Sequence, residues 1–259
     1  MDVSATNPFG IQGYSASTYG DSFADVYDAW YVDLDDADFI EGIVAALPPT
    51  PVQILELGVG TGRLIEQLLA QRPDTSDVII GVDSSVPMLD AAAIRTFPPN
   101  VSLQKCDFSM SLPDGRFDLI FVGYNTLFNL PDEHAMLACF RLVASRLAPH
   151  GIFAIDVVSP LLDKPGDHVA VRTMATSEVV LAISSHDAAS QRITGQFVQF
   201  TDGATPRLRP WSVRYFTPHQ LDALAAEAGL VLVTRHEDGI GTSYTADSFR
   251  HVSRYSRAV

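Results

Sequence analysis

Basic residues are scarce in this sequence. Lysine and arginine together number 17 against 31 aspartate and glutamate residues, so the formal net charge of the 259-residue chain is −14. A nucleic acid requires a basic face on its protein partner, and an anionic membrane surface attracts clusters of lysine and arginine. We therefore expect neither nucleic acid nor a membrane among the partners of this chain.

Cysteine and long apolar runs are scarce as well. Cys106 and Cys139 are the only cysteines, and they are too few and too unpatterned for a disulfide framework or a metal site. No apolar run approaches the length of a membrane span, and residues 1–20 are polar rather than signal-like. These absences predict a soluble, cytoplasmic protein with reduced thiols and no bound metal.

A strand, a glycine-rich turn and a helix follow one another at residues 52–71. Ile54, Leu55 and Leu57 form a short apolar run suited to a buried parallel strand. Glycines then occupy alternate positions in the segment Gly58-Val-Gly-Thr-Gly62, and leucines at helical spacing follow. Glycine permits the unusual dihedral angles of such a turn and the close approach of a ligand to the backbone, so the pattern indicates a nucleotide-binding unit.

The residues around this turn distinguish between nucleotides. Arg63 stands where the dinucleotide fingerprint needs its third glycine, and the turn has no phosphate-binding lysine. Glu56, just before the turn, disfavours a pyrophosphate and favours a cationic or ammonium-bearing ligand. Asp83 ends the next apolar strand, about 20 residues on, where a ribose diol is commonly held. A nicotinamide-dependent oxidoreductase is the weaker alternative.

This motif resembles that of the class I S-adenosylmethionine-dependent methyltransferases, particularly the small-molecule type that includes sugar-nucleotide N-methyltransferases. The resemblance is carried by the segment Glu56-Leu-Gly-Val-Gly-Thr-Gly62 together with Asp83. It implies S-adenosyl-L-methionine as the cofactor. The cofactor-binding residues that we predict are Tyr19, Tyr27, Glu56, Gly58, Gly60, Gly62, Arg63, Asp83, Ser84, Met88, Asp107, Phe108 and Tyr124.

Four aromatic residues near the N-terminus recur at helical spacing. Phe23, Tyr27, Trp30 and Tyr31 predict one amphipathic helix over residues 23–31. A helix that packs on the core is the simplest interpretation. The resemblance adds another, because the segment Tyr27-Asp-Ala-Trp-Tyr31 matches a Tyr-Asp-x-x-Tyr element that covers the active site in the family. Tyr19 or Tyr27 then contacts the methionine end of the cofactor.

The order of predicted elements gives the fold class. Strands and helices alternate as far as residue 157, which indicates a parallel sheet with helices on both faces. Residues 170–215 then read as four consecutive strands with turns between them. We therefore predict an α/β fold with a doubly wound, mostly parallel seven-stranded sheet of the Rossmann-like methyltransferase type, and a small antiparallel β insertion after the fifth strand. The predicted divisions are an N-terminal helical lid (1–50), a cofactor-binding core (51–160), an insertion that covers the substrate (161–216) and a C-terminal return to the core sheet (217–259).

The acceptor region is less specific. Ligands bind outside the carboxyl ends of the strands in such sheets, so the loop after the fourth strand is expected to meet the acceptor. The candidate catalytic residues are Tyr124, Asn125 and His219, and the candidate substrate-binding residues are Tyr31, Asn125, Asn129, Arg209, Trp211 and Arg214.

Each of these acceptor candidates has a structural alternative. The arginines of the insertion suit an anionic acceptor, since the guanidinium fork matches carboxylate and phosphate, or they are exposed on an edge strand. Asn129 is either an acceptor ligand or the cap of the helix that follows.

The predicted function is transfer of a methyl group from S-adenosylmethionine to a nitrogen or oxygen of a small molecule, such as a sugar nucleotide or another secondary metabolite. The alternative from another class is a protein that binds the cofactor without methyl transfer, as a cyclase or binding module. The partner is a small-molecule acceptor, and the insertion could also form a homodimer.

Overall fold

A computed structural model describes residues 7–73, 76–159 and 164–258 of the chain. The predicted lid, insertion and C-terminal segment include residues 1–6, 161–163 and 259, which lie outside the described residues. Within that part the seven α-helices are α1 (Thr18–Phe23), α2 (Tyr27–Trp30), α3 (Ala37–Ala45), α4 (Arg63–Gln71), α5 (Val86–Ala93), α6 (Glu133–Arg146) and α7 (Pro218–Glu227), with a 3-10 helix at Thr126–Asn129.

Eleven strands form two sheets in the described part of the chain. They are β1 (Gln53–Leu57), β2 (Val78–Asp83), β3 (Val101–Lys105), β4 (Phe117–Val122), β5 (Leu147–Val158), β6 (Gly166–Met174), β7 (Glu178–Asp187), β8 (Arg192–Thr201), β9 (Arg207–Arg214), β10 (Leu230–His236) and β11 (Arg250–Arg257).

The larger sheet has seven strands in the order β10-β11-β5-β4-β1-β2-β3. Every pairing from β3 to β5 is parallel, and β11 joins β5 and β10 antiparallel. The remaining strands, β6 to β9, form an antiparallel four-stranded sheet in chain order. The predicted fold class is therefore confirmed.

Both faces of the larger sheet are buried, which explains the continuous apolar runs of its strands. Leu55 of β1 joins a core that includes residues of α6 and α7, while its neighbour Ile54 joins a second core with residues of α3 and α4. Successive side chains of a strand point to opposite faces, so a strand between two layers of helices needs apolar residues at every position. This arrangement leaves the carboxyl ends of the strands as the open edge.

The predicted helix over residues 23–31 is interrupted. α1 ends at Phe23 and α2 begins at Tyr27. Between them Asp25 accepts hydrogen bonds from the Arg209 guanidinium of the insertion, with 2.6 Å between Arg209 Nη1 and Asp25 Oδ1. The predicted aromatic residues do pack against one another, Phe23 on Trp30 and Tyr27 on Tyr31, but the prediction of a single helix was wrong. The contact of Asp25 with Arg209, which is distant in sequence, lies at the break.

The caps distinguish between alternatives left by the sequence. Ser85 caps α5 by accepting from the backbone N–H of Met88. Asp132 caps α6 by accepting from the N–H of Ala135. Asn129 therefore does not cap that helix. No helix among residues 7–73, 76–159 and 164–258 has the length and hydropathy needed to cross a membrane.

Candidate functional site

The glycine turn lies between the end of β1 and the start of α4. Gly58, Gly60 and Gly62 have φ angles of 67°, 54° and 80°, in the left-handed region where a side chain is strained. A Cβ atom at Gly58 would lie 2.2 Å from Cγ2 of Thr126, in the loop after β4. The turn thus needs glycine both for its dihedral angles and for the close packing of that loop.

A cavity of about 540 Å³ opens at the carboxyl ends of the strands, beside this turn. It brings together most of the residues that the sequence predicts for the cofactor. The predicted residues that line it are Tyr19, Tyr27, Gly58, Gly60, Asp83, Ser84, Met88, Asp107, Phe108 and the acceptor candidate Asn129.

Two carboxylates of this cavity keep their places through backbone hydrogen bonds. Asp83 Oδ2 accepts from the N–H of Gly60 at 2.9 Å, and Oδ1 accepts from the N–H of Ser85 at 2.8 Å. Burial raises the pKa of Asp83, and these backbone hydrogen bonds act against the rise. Asp107 Oδ1 accepts from the N–H and the hydroxyl of Ser109. Both side chains therefore present fixed acceptors at the ends of β2 and β3.

A smaller cavity of about 30 Å³ adjoins the first and is lined by Glu56, Arg63, Tyr27 and Tyr124. Two of its buried polar atoms, Oε2 of Glu56 and Nε of Arg63, have no hydrogen-bond partner among the described residues. Burial raises the pKa of Glu56 well above its ordinary value, and the nearby charge of Asp83 adds to the rise. The guanidinium of Arg63 also pairs with Asp36 through Nη1, so one carboxylate oxygen and the Nε–H of the guanidinium remain without partners among the described residues. These two groups suit a ligand that carries both an ammonium and a carboxylate group.

Tyrosines surround the junction of the two cavities. The hydroxyls of Tyr19 and Tyr31 lie 3.3 Å apart, and the ring of Tyr31 is 4.8 Å from that of Tyr27 and 6.0 Å from that of Tyr124. Burial raises the pKa values of Tyr19, Tyr27 and Tyr124. These phenols are therefore neutral at ordinary pH, and the cluster is a rigid wall of rings and hydroxyl groups.

Several predicted site residues have other contacts. Gly62 lies against the ring of Phe97 and outside the lining of both cavities. The hydroxyl of Ser84 donates to the carbonyl oxygen of Ala16, and Oδ1 of Asn125 accepts from the N–H of Val158. His219 lies on the exposed first turn of α7 and lines neither cavity. Catalytic roles for Asn125 and His219 stay predictions without support from this geometry.

Arg209 and Arg214, the arginines that the sequence predicts to bind the substrate, do not line either cavity. Arg209 is buried, and its guanidinium donates to Asp25, Gln199 and the carbonyl oxygen of Ser22. Arg214 stacks over the ring of Phe216. Trp211 packs against Gly195. The structure thus gives Arg209 a structural contact with the N-terminal segment, and its proposed contact with a substrate stays untested.

Sequence reasoning missed residues that close the large cavity. Phe9 and Tyr14, both buried, line it from the N-terminal segment, and Asp132 and His134 line it from the start of α6. The sequence signal for Phe9 and Tyr14 is their aromatic character in a segment that is otherwise polar. Among the described residues no group of three or more histidine, cysteine or acidic side chains could hold a metal ion.

Comparisons with known proteins agree with this geometry. A family model described as a methyltransferase domain matches residues 54–151. The solved CcbJ methyltransferase from Streptomyces caelestis is 33% identical, with a TM-score of 0.84, and the alignment covers 95% of this chain and 100% of that one. The sugar N-methyltransferase KedS8 from Streptoalloteichus is 20% identical, with a TM-score of 0.69 over 96% of this chain and 99% of that one, which is a likeness in fold. The trans-aconitate 2-methyltransferase of Methylobacterium nodulans is 28% identical over 73% of this chain and 69% of its own length.

Proposed function

This chain belongs to the S-adenosylmethionine-dependent methyltransferases, and on that premise we propose that it methylates a nitrogen atom of a small molecule. The observation that carries the assignment of the cofactor site is the pair of unsatisfied buried groups, Oε2 of Glu56 and Nε of Arg63, beside the glycine turn. The methionine end of the cofactor bears one ammonium and one carboxylate, which complement these two groups. The adenosyl end suits the carboxylates of the larger cavity.

Each side chain has a role in this proposal. Asp83 accepts from the ribose hydroxyls, and Asp107 accepts from the adenine amino group beside the backbone of Phe108. Met88, which is buried in the cavity wall, packs on the adenine. Bound S-adenosylmethionine supplies a methyl group already activated by its sulfonium. The protein therefore has to align the acceptor and exclude water, for which the tyrosine wall and the N-terminal segment are suited.

We propose nitrogen rather than oxygen as the methylated atom because the phenols at the junction of the two cavities are poor general bases. A hydroxyl acceptor needs a general base, whereas a neutral amine already carries a free electron pair. Burial raises the pKa values of Tyr19, Tyr27 and Tyr124, so these groups hold their protons at neutral pH. They can accept hydrogen bonds from an amine but are poor bases. An amino sugar carried on a nucleotide or another amine-bearing secondary metabolite fits this description.

The test is label transfer. The protein is incubated with S-adenosylmethionine labelled in the methyl group and a panel of amines, hydroxyl compounds and carboxylates. We expect label on the amines and none on the hydroxyl analogues. Retained cofactor without transfer to any acceptor would favour a binding module or cyclase, and thermal stabilisation by a nicotinamide dinucleotide alone would contradict the site assignment.

We also propose that the protein is a homodimer. On the face of the insertion sheet turned away from Arg209 and Phe197, the register aligns Val169 with Ile183, and Val171 with Leu181, Val198 and Leu208. Val179, Phe200 and Met174 form the next row. These three rows contain no charged residue, and Val169, Val171, Met174, Phe200 and Leu208 are exposed. We call this surface the outer face of the insertion.

The net charge of the chain favours a second copy of the same protein as the partner that covers the outer face of the insertion. The net charge of −14 makes two copies repel elsewhere, whereas the outer face is uncharged and self-complementary in character. Four strands and three rows span about 20 Å by 20 Å, or about 400 Å². A stable dimer buries about 800 Å² per partner, so the outer face is large enough for the apolar centre of such an interface.

A further inference from the structure

Arg172 is an arginine of the insertion that the sequence did not single out. It lies on β6, where the register with β7 shifts between Val171 and Thr173. An extra residue in a strand re-aims a side chain, and such bulges are common next to active sites. Here the guanidinium of Arg172 reaches the N-terminal segment, where Nη2 donates to the carbonyl oxygen of Trp30.

Three aromatic rings hold this guanidinium. Its central carbon lies 4.7 Å from the ring centroid of Trp30, 5.3 Å from that of Tyr31 and 5.5 Å from that of Phe197. Stacking on aromatic faces restricts the planar group without using its N–H donors. Arg172 is therefore held in place before any ligand arrives.

The guanidinium is beside the tyrosine wall of the cavities. Tyr31, under Arg172, contacts the rings of Tyr27 and Tyr124. Burial raises the pKa of Tyr124, and the charge of Arg172 opposes that rise, as expected for a cation a short distance away. Arg172 thus lies next to the tyrosine wall, just outside the residues that line the two cavities.

No carboxylate of the described residues pairs with Arg172. Two other arginines near the N-terminal segment do pair with acids, since Arg63 contacts Asp36 and Arg209 contacts Asp25. The carbonyl oxygen of Trp30 is the one hydrogen-bond acceptor that the described residues supply to Arg172. Its other donors form a fork that matches a carboxylate or a phosphate.

We propose that Arg172 binds an anionic group, carboxylate or phosphate, of the small-molecule acceptor. This inference rests on the proposed function for the acceptor itself, and it places the anion contact at Arg172 instead of Arg209, whose guanidinium already donates to Asp25, Gln199 and the carbonyl oxygen of Ser22. The distance between the anionic group and the methylated nitrogen is then set by the distance between Arg172 and the tyrosine wall. Acceptors that lack the anionic group bind less tightly.

Trp30 provides a reporter next to Arg172. The chain has two tryptophans, so Trp211→Phe leaves Trp30 as the only tryptophan signal. Its fluorescence is titrated with inorganic pyrophosphate and, separately, with acetate, at constant ionic strength. We expect a saturable change with at least one of them, and the stronger response identifies phosphate or carboxylate as the preferred anion.

The comparison uses two further variants in the same background. Arg172→Gln should weaken the response about tenfold or more, the loss expected for a charge-assisted hydrogen bond. Arg116→Gln is the control, because Arg116 also has no carboxylate partner among the described residues but donates to carbonyl oxygens of Ser145 and Leu147 at the opposite end of the sheet. Its response should be unchanged.

Two results would overturn the proposal: no response in the reference protein, or an equal response after Arg172→Gln. If Trp211→Phe does not fold, the same titrations are followed by NMR of the labelled arginine side chains in the otherwise unchanged chain. Calorimetry with S-adenosylmethionine separates this proposal from the proposed function. A protein that binds pyrophosphate through Arg172 but not the methyl donor would retain the anion site and lose the methyltransferase assignment.

Discussion

The carboxylate of Glu56 is buried, with one oxygen unsatisfied among the described residues, and such a group destabilises a folded protein until a cation pairs with it. Its folded-state pKa is raised well above the ordinary value of 4.5. Below pH 4.5 the group is protonated in both the folded and the unfolded states, so its ionisation has no effect on stability. As the pH rises above 4.5, ionisation in the unfolded state lowers the stability of the folded protein.

Glu56→Gln should therefore stabilise the protein without cofactor. We expect the free energy of unfolding to rise by about 1–3 kcal/mol at pH 8, and the gain to shrink as the pH approaches 4.5. The same change should weaken cofactor binding about tenfold or more, since it removes the partner of the ammonium group. Urea unfolding at several pH values and calorimetry measure the two effects, with the exposed Glu41→Gln as control. A gain in stability that does not depend on pH would contradict the account of Glu56.

Asp83 is the second residue whose substitution should have a measurable effect on cofactor binding. Its carboxylate holds the N–H groups of Gly60 and Ser85 and faces the large cavity. Asp83→Ala should abolish measurable binding of S-adenosylmethionine by calorimetry while the fold persists, as judged by circular dichroism. Asp90→Ala, an exposed carboxylate on α5, should leave the affinity unchanged. Unchanged affinity of the Asp83 variant for S-adenosylmethionine would contradict the assignment of Asp83 to the ribose hydroxyls.

At the scale of elements, the contact between the N-terminal segment and the insertion encloses the site. Phe23 packs edge-on against Phe197, and Asp25 forms ion pairs with both Arg207 and Arg209. The two arginines differ in burial, because the side chain of Arg209 is 1% exposed and that of Arg207 is 56% exposed. Only the buried guanidinium is largely protected from water.

The two arginines should therefore differ in their effect on stability. Arg209→Gln should lower the free energy of unfolding by about 2 kcal/mol or more, because it removes the hydrogen bonds that a buried guanidinium donates to Asp25, Gln199 and the carbonyl oxygen of Ser22. Arg207→Gln, the matched control on the same strand, should cost less than about 1 kcal/mol, as for exposed ion pairs. Chemical unfolding at neutral pH measures both. Equal losses would mean that burial does not decide the strength of these contacts.

At the scale of the whole molecule, the outer face of the insertion is expected to bury itself between two copies. Leu208→Glu places a charge on this face and should shift the protein from dimer to monomer in sedimentation velocity. Ile240→Glu is the control, because Ile240 is as exposed as Leu208, at 64%, but lies on the loop between β10 and β11. A reference protein that sediments as a monomer at micromolar concentration would contradict the proposal.

The sequence by itself determined the part of the proposed cofactor site whose residues are close to one another in the chain. A strand, a glycine turn and a helix are read from local spacing, and so are Glu56, Arg63 and Asp83, because each stands at a set distance from that turn. The alternation of strands and helices likewise predicted the doubly wound sheet. Such patterns relate residues that are close in the chain, because each pattern follows from the backbone geometry of a single strand, turn or helix.

Tertiary structure alone decided which arginines are free and what closes the cavity. The sequence offers Arg209 as a ligand for an anion, and only the fold shows that its guanidinium contacts Asp25, 184 residues away in sequence. Arg172 had no motif, and its place beside Trp30 depends on a contact across 142 residues and on a bulge that periodicity does not reveal. The physical reason is that contacts between charged groups and aromatic rings depend on their distance in space. The spacing of residues along the chain does not give that distance when the residues belong to separate elements.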